Sequence, residues 1–200
     1  MDGEDKEYTV KSTYEKMQDI CNGEQLPFFQ SLWRVKVIRS TIFFAWRVML
    51  KEVPTKVNFR RRRVLLNNYC CALCGEQKES ASHLFFDCKV ASKVWNMWNK
   101  WVRILNVHYN QPYESFLHFL VLELNHKGNE IWKGVSVTIM WSIRKHRNNV
   151  VFSNAISDAE EIFCMAQLRV WAWMKHKSTK VRFSFSDRCM CPIPYIRSIT

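Results

Sequence analysis

The chain has 200 residues, of which 48% are hydrophobic and 14% aromatic, a composition that excludes a disordered chain and can fill a substantial core in one domain or two small ones. Its net charge of +12 favours a polyanionic partner, although basic charge also serves solubility alone. No apolar run approaches the roughly 18 residues of a transmembrane helix; Val135 to Ile143 comes nearest and is interrupted by serine and threonine, so no membrane partner is expected.

In chain order, the acidic start from Met1 to Glu7 lacks the basic-then-apolar pattern of a signal peptide, and a short extended piece follows at Tyr8. Ser12 and Glu15 form a capping box ahead of a short helix whose Tyr14, Met17 and Cys21 share a face. Pro27 to Phe29 are a connector, packed on the core by Trp33. Ile42, Ala45, Trp46 and Met49 recur at helical spacing and predict a buried helix over 40–51, stopped by Pro54. Thr55 can cap the next helix, which carries Arg60, Arg61, Arg62 and Arg63. After Cys88, Ala91, Val94, Trp95, Trp98 and Val102 follow an amphipathic helical pattern, and at this spacing the tryptophans belong to a core before they belong to a base-stacking platform. A linker with a helix near Glu114 to Leu124 precedes a break at Lys127 to Asn129. A long helix then buries Ile131, Trp132, Val135, Ile139 and Ile143 and ends in the basic Arg144, Lys145, His146 and Arg147. Ser157 and Glu160 open a last helix through Ile162, Met165, Val170 and Trp173 to Lys177. Cys189 and Cys191 have no second ligand set and no assigned role.

Between the second and third of these core helices lies a ligand pattern, C-x2-C-x8-H-x4-C, formed by Cys71, Cys74, His83 and Cys88. Zinc prefers four tetrahedral thiolate or imidazole ligands, and a structural site uses all four. Gly75 suits the turn after the second cysteine because glycine tolerates positive φ. Buried free cysteines or a disulfide-linked loop are the alternatives, and Cys70 competes with Cys71 at the less suitable spacing C-x3-C. Glu79 is placed to accept a hydrogen bond from a knuckle amide or from the free nitrogen of His83. Leu84, Phe85 and Phe86 are expected to plug the knuckle onto the helical body.

The block running through Trp33, Phe44, Trp46, Arg47, Pro54, Arg62, Arg63, Cys71, Cys74, Glu79, His83, Cys88 and Trp95 resembles the zinc-binding domain that follows the reverse transcriptase domain in plant non-LTR (LINE-type) retrotransposons. Tyr8 to Tyr14 resembles the segment opening this region, and Trp141 to Asn148 resembles its later W-x-I-W-x-x-R-N helix, with Arg144 in place of the second tryptophan. The resemblance covers roughly residues 8–194 and implies a Zn2+ cofactor, an upstream reverse transcriptase domain as a partner, and a fragment or domesticated remnant of a retrotransposon polyprotein.

The expected fold is mainly α, with helical bundle-like lobes and a small CCHC zinc knuckle; residues 1–104 form the zinc-binding domain and residues 105–200 a C-terminal helical region. The expected function is a zinc-stabilised module that contacts RNA or DNA through the phosphate backbone, using Arg60, Arg61, Arg62, Arg63, Arg144, Lys145 and Arg147. A structural or protein-interaction remnant is the alternative, and convergence of the two basic segments on one surface discriminates them. Scattered aspartates, and the lack of a glycine-rich phosphate loop or nucleophile elbow, argue against an autonomous enzyme. The cysteine usage fits a reducing compartment, nucleus or cytoplasm.

Overall fold

A computed structural model describes residues 39–101 and 126–177. The expected capping box at Ser12, the Pro27 to Trp33 connector, the helix near Glu114, and Cys189 and Cys191 lie outside the described residues. The described part is mainly helical: α1 (Arg39–Met49), α2 (Lys56–Arg61), a π-helical turn (His83–Asp87), α3 (Lys89–Trp101), α4 (His126–Ser153) and α5 (Ala159–Lys177). Among these residues no strand forms, and an isolated antiparallel bridge joins Cys70 to Lys78.

Local chemistry sets the helix ends. Both α1 and α2 close with the paired reverse hydrogen bonds of a Schellman motif. In α1 the Lys51 amide donates to Val48 O (2.9 Å) and the Glu52 amide to Arg47 O (2.9 Å). In α2 the Arg63 amide donates to Arg60 O (3.0 Å) and the Val64 amide to Phe59 O (2.9 Å). The left-handed residue each motif needs is here a cation, Lys51 at φ 57° and Arg63 at φ 60°. Thr55 caps α2 as its position predicts, its Oγ1 accepting from the Asn58 amide at 3.3 Å. Asn58, itself buried, donates through Nδ2 to Lys51 O (2.6 Å) and Val53 O (2.7 Å), fastening α2 to the α1–α2 elbow.

Two boundaries differ from expectation. The break at Lys127 to Asn129 does not occur: α4 starts at His126 and runs through Gly128. A glycine inside a helix costs about 1 kcal/mol, a cost that the packing of a 28-residue helix can absorb. The cap of α5 is Asp158 rather than Ser157: Asp158 Oδ1 accepts from the Glu160 amide at 2.9 Å, while Ser157 Oγ is buried without a partner among the described residues.

The helices pack as α1 on α4, α4 on α5 and α5 on α3, and the π-helical turn touches α3 and α4. One hydrophobic core runs through them, from Ile42 and Ala45 through Phe85, Val94 and Trp98 to Ile139, Ile143, Ile162 and Val170. The boundary expected near residue 105 lies outside the described residues, and helices from both sides of it share this core. The tryptophan stripe of α3 is core, with Trp98 buried and Trp95 half-buried. Leu84, Phe85 and Phe86 are buried and join the knuckle to the helices. Phe85 meets Phe44 of α1 edge-on at 5.6 Å and Phe86 stacks on Trp95 at 6.2 Å. Trp95 Nε1 donates to Phe85 O at 2.8 Å, and Ser92 Oγ to Phe86 O at 3.0 Å.

Candidate metal centre

The knuckle begins as a small hairpin. The Cys71 amide donates to Gln77 O (2.6 Å) and the Glu79 amide to Tyr69 O (2.9 Å), on either side of the Cys70–Lys78 bridge. At its tip the Gly75 amide donates to Cys71 O at 2.8 Å, and Gly75 takes φ 73°, the left-handed turn that its lack of a Cβ permits. The second half is the π-helical turn, which presents His83 at its start and delivers Cys88 to the N-terminus of α3; the Cys88 amide donates to His83 O at 2.7 Å.

These two halves bring one ligand atom each from Cys71, Cys74, His83 and Cys88 to within 4.8 Å of one another. Cys71 Sγ and Cys88 Sγ are 3.9 Å apart, where tetrahedral zinc with thiolates at about 2.3 Å sets its sulfurs about 3.8 Å apart. Cys74 Sγ lies 3.3 Å from His83 Nε2. The donor set is soft, closed and tetrahedral in number, and it fits zinc. Cys70, Cys71, Cys74 and Cys88 are free thiols, and Cys70 stays out of the cluster. The two facing thiols titrate unequally. The hydrogen bond from Cys71, opposed by burial and assisted by the Ala91 and Val90 amides opening α3, lowers Cys88 to about 5. The same contact, together with burial, pushes Cys71 up.

Glu79 does more than the sequence suggests. It is fully buried, and its Oε2 accepts from the Ala72 amide at 3.2 Å, inside the Cys71–Cys74 turn. Its Oε1 accepts from the Lys56 amide at 3.2 Å, at the first residue of α2. It does not reach His83, whose Nδ1 is buried without a partner among the described residues. Instead it pairs with Arg147: Nη2 donates to Oε1 at 2.6 Å and Nε to Oε2 at 3.2 Å.

Arg147 is therefore a correction to the expected phosphate-binding set: it is 3% exposed and its fork is closed on Glu79, out of reach of an external phosphate. The physical reason is helical phase. Val135, Ile139 and Ile143 step by four residues along the buried face of α4, and the next step is Arg147. That continuation was the available signal. Arg144 is half-buried and donates through Nη1 to Pro54 O at 2.8 Å. Burial, then the neighbouring guanidinium of Arg147, lowers its pKa to about 10, so it stays charged at neutral pH. Lys145 is exposed, its Nζ 5.4 Å from the centre of the Trp141 ring.

Arg60, Arg61, Arg62 and Arg63 are all exposed. Arg60 lies over the Tyr69 ring at 5.6 Å, Arg61 Nη1 donates to Asn58 Oδ1 at 3.4 Å, and Arg62 meets Glu52 at 3.3 Å. Arg47 Nη2 donates to Glu52 O at 3.1 Å. Arg47, Arg62 and Arg144 thus reach the same short elbow, residues 52–54, with exposed Lys51 beside them. Arg47 and Lys51 were not among the expected contact residues; their position at the end of α1, one turn from the next basic helix, was the signal.

Residues 8–95 match the family model described as zinc-binding in reverse transcriptase. This segment is a zinc-binding domain of the reverse transcriptase type. Over 180 residues, 86% of this chain, the sequence is 23% identical to a protein of Arabidopsis thaliana named as a ribonuclease H protein. The chain spans only 28% of that relative's length. No solved structure matches the chain. The family domain and the plant relative bear out the retrotransposon-related resemblance, and the Cys3His cluster fits the zinc that the family carries. No described helix is long and apolar enough to cross a membrane.

Proposed function

We propose that this chain is a zinc-stabilised module that binds RNA or DNA through phosphate contacts and is non-catalytic by itself. Cys71, Cys74, His83 and Cys88 hold the ion. A closed set of four protein ligands leaves no position for a reactive water, so zinc here contributes folding energy rather than chemistry. Arg60, Arg61, Arg62 and Arg63, with Lys145 and the half-buried Arg144, supply salt-dependent affinity. In this reading the upstream partner is a reverse transcriptase domain, and the module holds nucleic acid beside it.

The observation that carries the reading is the placement of four convergent zinc donors beside an exposed arginine elbow. Of the two basic segments, Arg62 and Arg144 reach the same loop, the partial convergence that favours a nucleic-acid surface over dispersed charge. The second reading, a structural or protein-interaction remnant, draws support from the intramolecular partners of Arg60, Arg61 and Arg62.

The test measures metal content of the purified chain with Cys74→Ser and His83→Ala alongside, then binding to single- and double-stranded RNA and DNA across a salt series. One zinc per chain, lost in both variants, with affinity that falls steeply with salt, supports the proposal. A zinc-loaded chain indifferent to every nucleic acid leaves the structural remnant in its place, and a well-folded wild type without zinc sinks the metal site itself.

A further inference from the structure

We infer that Glu79 and Arg147 couple the metal centre to the C-terminal helix pair, so that occupancy of the knuckle and docking of α4 reinforce each other. The inference rests on the assignment of Cys71, Cys74, His83 and Cys88 as ligands. Neither Glu79 nor Arg147 belongs to that ligand set; both act by position.

One carboxylate joins three parts of the chain. Oε2 holds the Ala72 amide, between the first two ligands, and Oε1 holds the Lys56 amide at the start of α2. The backbone of Glu79 repeats these attachments, its amide donating to Tyr69 O (2.9 Å) and its carbonyl accepting from the Val57 amide (3.1 Å). Arg147 arrives from 68 residues further on and closes both carboxylate oxygens. A second amide donor, Arg147 Nη1 to Asn148 Oδ1 at 3.4 Å, is weak by comparison.

Each partner needs the other. A buried carboxylate without its cation is an uncompensated charge, and so is a buried guanidinium without its carboxylate. With α4 undocked, Glu79 keeps the Ala72 and Lys56 amides but loses its counter-ion. With the knuckle undone, Arg147 is an unpaired cation on a helix face otherwise built from Ile139, Met140 and Ile143. Closing the knuckle on its ion fixes the turn that carries Ala72, which fixes Glu79, which fixes Arg147. Linkage makes the effect reciprocal: whatever α4 docking adds to metal affinity, the metal adds to α4 docking. Residues that orient a ligand loop from outside the ligand set typically change metal affinity about 10–100-fold when mutated.

The test uses the full chain and measures zinc affinity by competition with a chelator, and the Co2+ absorption of the substituted protein as a reporter of ligand geometry. The variants are Arg147→Met, Glu79→Gln, the double variant, and Ile139→Ala as a control that weakens the same helix while leaving the ion pair intact. Expected are a drop of about 10–100-fold in zinc affinity and an altered Co2+ band in each single variant. The double variant loses less than the sum of the two, and Ile139→Ala keeps both metal readouts. Arg147→Lys, which keeps the charge but not the fork, falls between wild type and Arg147→Met and decides the matter if the methionine variant does not fold. Wild-type zinc affinity in a folded Arg147 variant, or an equal loss in Ile139→Ala, overturns the coupling while leaving the ligand assignment standing. A folded wild type that binds no zinc overturns both.

Discussion

Arg60 to Arg63 and Arg144 to Arg147 are matched in the sequence, each a run of four positions rich in cations, and the fold treats them in opposite ways. The first run straddles the end of a six-residue helix, so its side chains fan outward and all four stay exposed. The second lies within a 28-residue helix packed on α1 and α5, so each side chain's fate follows its angle around the axis. Arg147 continues the buried face, Arg144 flanks it, and Lys145 faces solvent. Charge density along a sequence therefore says little about a binding surface until helical phase is known.

Arg147→Met tests the contrast hardest. Removing one partner of a buried ion pair costs about 3–5 kcal/mol, because the other charge is left uncompensated. Urea denaturation of the zinc-loaded protein should show a loss of that size. Arg62→Met should stay within about 0.5 kcal/mol, since its pairing with Glu52 is half-exposed on both sides. Similar losses in the two variants would remove the distinction between the runs.

The converse effect belongs to nucleic acid. Replacing Arg60, Arg61, Arg62 and Arg63 together by glutamine should lower affinity at low salt. It should also flatten the plot of log affinity against log salt by about 3, at roughly 0.7–0.9 per phosphate contact. Thermal stability should change little. Arg147→Met, if folded, should leave the slope alone, because its guanidinium never faces solvent. A slope that depends on Arg147 and ignores the α2 arginines would reverse the assignment of the two runs.

Much of this arrangement was legible in residue order. The spacing of Ile42, Ala45 and Trp46 gave α1, Thr55 marked the start of α2, and Ala91, Val94 and Trp98 gave the core face of α3. The C-x2-C-x8-H-x4-C pattern named the four residues that the fold brings within 4.8 Å. The partner of Glu79 was not legible, because it lies 68 residues away and only tertiary packing supplies it. The α5 cap shifted from Ser157 to Asp158 for a similar reason: His146, itself buried on α4, accepts from the Asp158 amide at 3.2 Å and fixes that residue at the helix start.

Arg144 stands between the two extremes and should behave so. Its hydrogen bond to Pro54 O joins α4 to the elbow, and Arg144→Gln should cost about 1 kcal/mol, a loss readable as a small drop in thermal midpoint. Since the side chain is half-buried, the same variant should reduce the salt slope by less than any one α2 arginine does. A full one-contact reduction would mean that Arg144 leaves Pro54 to meet phosphate.

Arg63→Gly should have the smallest effect on stability and separates folding from binding most cleanly. Arg63 occupies the left-handed position of the Schellman motif that ends α2, at φ 60°, where an L side chain is strained and glycine is not. Glycine relieves that strain but adds freedom to the unfolded chain, a cost of about 0.4–1 kcal/mol. The two terms nearly cancel, with the balance toward a slightly more stable protein, by a few tenths of a kcal/mol on these magnitudes. Yet the substitution deletes one exposed guanidinium and should remove about 0.7–0.9 from the salt slope. A variant equal or higher in stability and weaker in nucleic-acid binding would assign Arg63 to the interface. One that loses stability and keeps its affinity would make the arginine part of the helix end and leave the phosphate contacts to Arg60, Arg61 and Arg62.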